Sequence, residues 1–218
     1  MLDYVINGDT IFYSGNYKGG FVQDHGCKIM NLYGVKWNHC TVHQAFAGNK
    51  SVEEIIFPKN GFPKAKSLDY AFAGCENLKR VELPLEIPNL HSMDHAFERC
   101  KSLRYVSVPY FKNLRYMTAC FRDCRVLISV WIGKCRSRNY PEHVDPMSIY
   151  RADDAFMDCW RLSDLHIHNM TFENAIDLSW MFRDCKALKH ANKEFEEKLE
   201  IDPYCDTTDM TYGTEFLQ

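Results

Sequence analysis

Hydrophobic and polar positions follow a pattern that returns along most of the chain. Residues 71–83 (AFAGCENLKRVEL) show it as A-F-x-x-C followed by L-x-x-V-x-L. The closing apolar positions alternate with polar ones, which is the period of a short strand with one buried face. The apolar residues of A-F-x-x-C fit a single helical turn whose inner side meets a core. Each copy therefore predicts one strand and one helical turn.

The pattern occurs six times. Further copies cover residues 96–108, 120–132 and 155–167, an earlier variant covers 45–57, and an incomplete copy begins at Met181. Its phenylalanines are separated by 26, 25, 24, 35 and 26 residues and are Phe46, Phe72, Phe97, Phe121, Phe156 and Phe182. This spacing predicts a solenoid, in which short parallel strands complete one another's hydrogen bonds and bury a continuous core.

Half of the ten cysteines occupy a single position of the repeat. They are Cys75, Cys100, Cys124, Cys159 and Cys185, and Asn49 holds the position in the first copy. A thiol that alternates with asparagine indicates a small buried group bonded to backbone at a turn. The alternative is a metal or disulfide framework, which needs cysteines that converge on one point. Stacked repeats place them in a row instead, which favours the structural interpretation.

The repeat resembles the BspA-type (Treponema-type) leucine-rich repeat, and M-F-R-D-C-K-A-L at Met181 is similar to a related bacterial repeat. The resemblance covers about residues 41–193. It implies an α/β solenoid, a leucine-rich repeat with short parallel strands, one helical turn per repeat and an N-terminal β-hairpin cap. It also implies a role in adhesion or protein recognition, without a catalytic constellation or cofactor.

Residues 1–40 precede the clear repeats and are predicted to form an N-terminal cap. The turn signal Asn7-Gly8-Asp9 separates two β-rich runs, which predicts a β-hairpin. The segment and its border also hold zinc-type ligands, namely His25, Cys27, His39, Cys40 and His43. Because their spacing matches no standard zinc finger, packing within the cap is the favoured interpretation and a metal site the alternative.

Residues 194–218 are predicted to form an acidic C-terminal cap or tail, with a short helix over 194–199. From Tyr204 onward we expect a mobile segment or one that is ordered only on a partner. The only long insertion, residues 134–151, is basic and includes Arg136 and Arg138. Insertions in solenoids emerge as loops that often bind partners, and a solvated loop is the equally weighted alternative.

Composition restricts the classes of partner. The 218 residues are 46% hydrophobic and 25% charged, with a net charge of −3, which argues against bulk binding of nucleic acid or an anionic membrane. No signal-peptide pattern or long apolar run is present, so we expect a cytoplasmic monomer with reduced thiols. Secretion of a chain trimmed of its signal peptide, and a homodimer, stay open.

The outward residues of the strands form two columns, and Trp131 is the most conspicuous member. It lies between inward Val130 and Ile132, so alternation turns its ring outward near Tyr105 and His166. Exposed aromatic clusters with polar surroundings are typical anchors of interfaces. Coverage of Trp131 by the insertion is the alternative. The predicted partner-binding residues are Tyr105, Trp131, His166, Arg80, Glu82, Asp164, Arg136 and Arg138.

Catalysis finds little support, because the chain lacks G-x-S-x-G, H-E-x-x-H and G-x-x-x-x-G-K. The best polar cluster combines Asp164, His166 and His168 with His190, but the sequence places no nucleophile there. We therefore predict non-catalytic recognition of a protein, in the form of a stand-alone inhibitor or effector of phage, virus or symbiont type. The alternatives are a surface adhesin fragment that binds matrix protein or carbohydrate and, third, a hydrolase.

Overall fold

The computed structural model describes residues 2–58, 60–134, 145–197 and 199–217. Almost all of its regular structure is β. The elements are β1 (Asp3–Asn7), β2 (Thr10–Tyr17), β3 (Ile29–Trp37), β4 (Glu54–Ile56), β5 (Arg80–Glu82), β6 (Tyr105–Pro109), β7 (Ser129–Lys134), β8 (Met147–Ser148), β9 (Asp164–Ile167), β10 (Met170–Thr171) and α1 (Lys193–Glu197). No helix in the described ranges is long and apolar enough to span a membrane.

Eight strands form one sheet in the order β1-β2-β3-β4-β5-β6-β7-β9. Among the strands that the structure describes, β1 and β2 pair antiparallel and every later neighbour is parallel. The registers match equivalent positions of the repeats, so Val106 lies opposite Val81 on one side and Val130 on the other. A second parallel ladder of single bridges runs through Thr41, Ser67, Ser92, Tyr116, Arg151, Asp177 and Asp206. This is the predicted solenoid, with about six turns.

The A-F-x-x-C segment is not helical, and the prediction of a helical turn in each repeat is wrong. The segment consists of overlapping β-turns, as in the bond from the Ala73 N–H to the Tyr70 carbonyl. Two residues in each copy have positive φ, here Tyr70 at 55° and Gly74 at 70°, and such residues interrupt a right-handed helix. Intervening N–H groups bond the next copy, as from Phe72 to the Ala96 carbonyl.

The core runs the length of the solenoid. All six repeat phenylalanines are fully buried, and neighbouring rings stack within 16° of parallel with centroids 5.0 to 5.5 Å apart. The five repeat cysteines are buried as predicted, and each thiol donates to the carbonyl of a phenylalanine one copy earlier at 3.1 to 3.2 Å. The interpretation of a small buried group bonded to backbone is therefore confirmed.

The N-terminal residues extend the same sheet. The predicted hairpin is present as β1 and β2, joined by Gly8 and Asp9. Only Gly8 of this two-residue loop has positive φ, the pattern of a type II′ turn rather than the type I′ turn typical of Asn-Gly. Beyond the hairpin, β3 is already a parallel solenoid strand, and its Trp37 is buried with its ring centroid 5.8 Å from that of Phe46.

The C-terminal residues add one more turn. Although the sequence favours a mobile or partner-dependent segment from Tyr204, the backbone of 201–217 continues the ladder, as in the bond from Phe182 N–H to the Met210 carbonyl. Asp209 and Gly213 have the two positive φ values of the repeat. Phe216 is fully buried against Phe182, with centroids 5.0 Å apart. The short helix predicted for 194–199 is present as α1.

Candidate functional site

The outward face of the sheet carries the residues predicted to bind a partner. One column runs through Glu54, Arg80, Tyr105, Ser129 and Asp164, which lie opposite one another on successive strands. The next column on the same face contains Glu82, Ser107, Trp131 and His166. The structure therefore brings the six described members of the predicted set together on one face. These members are Arg80, Glu82, Tyr105, Trp131, Asp164 and His166.

A stacked aromatic pair lies on this face, on the last two strands of the sheet. The rings of Trp131 on β7 and His166 on β9 lie 3.8 Å apart at 14°. The Trp131 Nε1–H donates to Ser129 Oγ at 3.2 Å, and the Ser129 hydroxyl donates to Asp164 at 2.5 Å. Asp164 is also 2.8 Å from His166 Nε2. This closed set of contacts fixes the orientation of both rings before any partner arrives.

A charged group flanks the aromatic pair on β5 and β6. The Arg80 guanidinium forms an ion pair with Glu82 and lies 4.8 Å from the centroid of the Tyr105 ring. The hydrogen bond that the Arg80 guanidinium donates to the Glu82 carboxylate raises the pKa of Arg80. Because both signs of charge and an aromatic ring lie together here, this part of the face suits a polar partner segment with charges of its own.

Two predicted binding residues, Arg136 and Arg138, lie outside the described residues, as does most of the basic insertion. Coverage of Trp131 by the insertion depends on the same segment, so the two alternatives for this side chain both stay predictions. Within the described residues, Trp131 is half-buried and lies on the outward face, as alternation requires.

The polar cluster on β9 does not have the order of a hydrolytic triad. In a triad the histidine lies between the nucleophile and the carboxylate. Here Asp164 lies between the Ser129 hydroxyl and His166, so the serine donates to the carboxylate and not to the imidazole. His168 lies further along the face, with its ring centroid 6.2 Å from that of Trp131. The arrangement orients rings for contact and does not activate a nucleophile.

An apolar area that the repeat pattern does not predict lies at the N-terminal end of the same face. Val5, Phe12 and Tyr33 are exposed there, as is Ile56 on β4. Val5 lies opposite Phe12, and the column continues through Asn31 to Ile56. Because the sequence predicts a cap for residues 1–40, their outward side chains are not expected to continue the two columns of the repeat strands. The signal was present in β2, where buried Ile11 and Tyr13 flank Phe12.

Trp160 lies on a different surface, at the outer position that follows the repeat cysteine. It is 39% exposed and is held between Arg125, 4.5 Å from its ring, and Lys186 at 5.3 Å. Its Nε1–H donates to Asp158 at 3.0 Å. These contacts account for an exposed tryptophan through cation–π packing within the molecule.

The histidines and cysteines near the N-terminus make separate packing contacts. His25 packs on Tyr4 with centroids 4.3 Å apart and the rings tilted by 34°, His39 contacts the edge of Tyr17, and His43 contacts the edge of Tyr70. Cys27 is buried and Cys40 is exposed. Among the residues that the structure describes, no three histidine, cysteine or acidic side chains are grouped as metal ligands.

Comparison with known proteins agrees with this geometry. Residues 41–140 match the family described as BspA type Leucine rich repeat region, in six copies. No curated protein matches the chain significantly. A leucine-rich repeat protein of T. pallidum is similar in structure, with a TM-score of 0.54 and 20% identity over 87% of this chain and 78% of its own.

A leucine-rich repeat protein of Eubacterium ventriosum is also similar, with a TM-score of 0.50 and 14% identity. The alignment covers 99% of this chain and 50% of that protein, so this chain spans half of its length. At these identities, the likeness to both proteins concerns the fold.

Proposed function

We propose that this protein is a non-catalytic recognition module that binds a protein partner through its strand face, because residues 41–140 match the BspA type leucine-rich repeat family. Leucine-rich repeats generally serve as protein-interaction modules. The observation that carries the proposal is the oriented Trp131–His166 stack, in which Asp164 holds the His166 ring, with the Arg80–Glu82 pair on the same face. An aromatic anchor with polar surroundings is the composition of an interface hot spot.

In its finer form, the proposal is an inhibitor or effector that acts in the cytoplasm, with the basic insertion contributing Arg136 and Arg138 to the contact. Two features support it. Neighbouring strands pair from β2 to β9 across the described sheet, so the strand face offers a partner one continuous surface. The thiols of the repeat cysteines are engaged as buried hydrogen-bond donors, which suits a reducing compartment.

The test compares two tryptophan variants. Wild-type protein, Trp131→Ala and Trp160→Ala are used as baits in lysates of the source cell or its host, and captured proteins are titrated against each variant. We expect Trp131→Ala to weaken binding at least about thirtyfold, the loss typical of a hot spot, with little change in melting temperature. Trp160→Ala is the matched control and should bind as the wild type does.

Other results would point elsewhere. A partner bound equally by wild type and Trp131→Ala, with a lower melting temperature for the variant, would make Trp131 a structural residue. If no protein is captured by the wild type, matrix proteins and glycans become the ligands to test, as the adhesin alternative requires. Sugar rings stack on aromatic side chains, so the same Trp131→Ala comparison applies to a glycan array.

A further inference from the structure

The edge strand β1 is apolar on both faces and exposed on both. Tyr4, Val5 and Ile6 are 47%, 68% and 48% exposed, and β1 is the first strand of the sheet, where the described residues give it one neighbour, β2. An exposed hydrophobic edge strand presents backbone N–H and C=O groups that can pair with another chain. The strand also lacks the lysine, proline or bulge by which exposed edges avoid pairing. Its apolar composition and open edge therefore favour pairing with a further strand.

The hairpin geometry indicates which backbone groups face the open edge. In a hairpin with a two-residue loop, the pair that closes the loop exchanges both backbone hydrogen bonds, and such pairs then alternate. Here the closing pair is Asn7 and Thr10, so Val5 also directs its N–H and C=O toward β2. The N–H and C=O groups of Tyr4 and Ile6 therefore point away from β2, toward the open edge.

We propose that a second copy of this chain occupies this edge, with the two β1 strands antiparallel about a two-fold axis at Val5. In this register, Tyr4 of each copy lies opposite the partner's Ile6, and both residues direct their backbone groups outward. The two pairs can exchange four hydrogen bonds. Val5 faces the partner's Val5 as a pair without hydrogen bonds, as its own orientation requires. The strand is thus complementary to itself.

Charge and space agree with this register. The only charged residue of β1, Asp3, lies opposite the partner's Asn7, so no like charges face each other. Successive strands follow the solenoid axis, so pairing at β1 places the second copy beyond the end of the first and continues the sheet. A contact of one strand pair is small beside the roughly 1,200–2,000 Å² of stable interfaces, so we expect a weak dimer that forms as the concentration rises.

Cysteine cross-linking tests the register. Val5→Cys is made in a background with Cys40→Ser, Cys135→Ser and Cys205→Ser, and oxidised mildly at increasing concentration. A pair without hydrogen bonds holds its Cα atoms about 4.5 Å apart, within reach of a disulfide. We expect a disulfide-linked dimer from Val5→Cys and none from Ile176→Cys, a control with similar exposure of 64%. Cross-linking through Ile6→Cys but not Val5→Cys would overturn the axis at Val5.

Sedimentation equilibrium tests the dimer itself. The average mass of the wild type should rise with concentration toward that of two chains, whereas Val5→Lys, which opposes two like charges at the axis, should stay monomeric. Ile176→Lys, which adds the same charge at a matched exposed site, should behave as the wild type does. A wild type that remains monomeric up to hundreds of micromolar, or a Val5→Lys variant that dimerises equally, would refute the proposal.

Discussion

At the scale of single residues, one repeat position requires a small side chain with a polar atom. Five cysteines donate to a backbone carbonyl there, as Cys124 does to Phe97. Asn49 accepts from the Val52 N–H at the same position in the first copy, and Thr214 donates to the Leu188 carbonyl in the last. Burial raises the pKa of Cys75 to about 12, so its thiol remains a donor at neutral pH. At this position the side chain forms a hydrogen bond with the backbone along the solenoid, although the residue type changes.

Substitution of Cys124 separates hydrogen bonding from packing. Cys124→Ala removes the thiol that donates to the Phe97 carbonyl, and that carbonyl retains the bond from the Cys100 N–H. The substitution also leaves a small void. We expect the free energy of unfolding to fall by about 1–2 kcal/mol in urea titrations. Cys124→Ser keeps a donor and should lose less. Equal losses in the two variants would show that the sulfur acts through its volume alone.

At the scale of elements, the turn of each repeat is defined by its neighbours. Its N–H groups alternate between carbonyls three residues back and carbonyls of the next copy, as Ala73 and Phe72 do. An isolated α-helix satisfies its N–H groups within itself, whereas this turn needs the adjacent repeat. With residues of positive φ such as Tyr70 and Gly74, every second N–H of the turn points toward the next copy. The element therefore forms only in the stack.

Two glycines of positive φ should respond differently to alanine. At Gly74 an added Cβ meets only backbone atoms of Gly48, at 3.8 Å or more, so the cost is the left-handed conformation, about 1–2 kcal/mol. At Gly133 it would lie 1.8 Å from the His168 carbonyl oxygen. Gly133→Ala should therefore lose more than about 4 kcal/mol or fail to fold, as measured by urea unfolding. Equal effects would contradict the close approach at Gly133.

At the scale of the whole molecule, the stacked phenylalanines form one core that aromatic residues close at both ends. Trp37 covers Phe46 at the N-terminal end, and Phe216 covers Phe182 edge-on at the C-terminal end. An open solenoid exposes the apolar side of its last turn unless another segment covers it. Here the covering segments are themselves turns or strands of the same ladder, so both ends are part of the solenoid.

A pair of variants in the C-terminal turn tests whether it covers the core. Phe216→Ala removes a fully buried ring and should lower the free energy of unfolding by about 3 kcal/mol, with increased binding of an apolar dye. Tyr204→Ala, at a ring that is 96% exposed, should leave stability unchanged. If neither substitution alters the urea midpoint, residues 204–217 are a mobile tail, as their composition suggests.

Local pattern sufficed where a residue's environment depends on its place in the repeat. The inward phenylalanines, the buried thiols and the outward column with Trp131 and His166 all follow from the two-residue period and the spacing of copies. The local pattern did not distinguish the β-turns from a helical turn, because apolar residues at i, i+1 and i+4 suit a helix and a stack of β-turns equally. The repeat pattern did not predict the C-terminal turn, because Thr211 and Thr214 occupy the positions at which earlier copies have phenylalanine and cysteine.

The sequence by itself determined the repeat, its register and its inward and outward sides, because identical short segments can share one core only when stacked in phase. The tertiary structure decided the conformation of the turns, since their hydrogen bonds lie between copies. It also decided which outward residues meet, bringing Trp131, His166 and Asp164 into one bonded cluster. Finally, it made β1 an edge strand, because a strand's number of neighbours is a property of the assembled sheet.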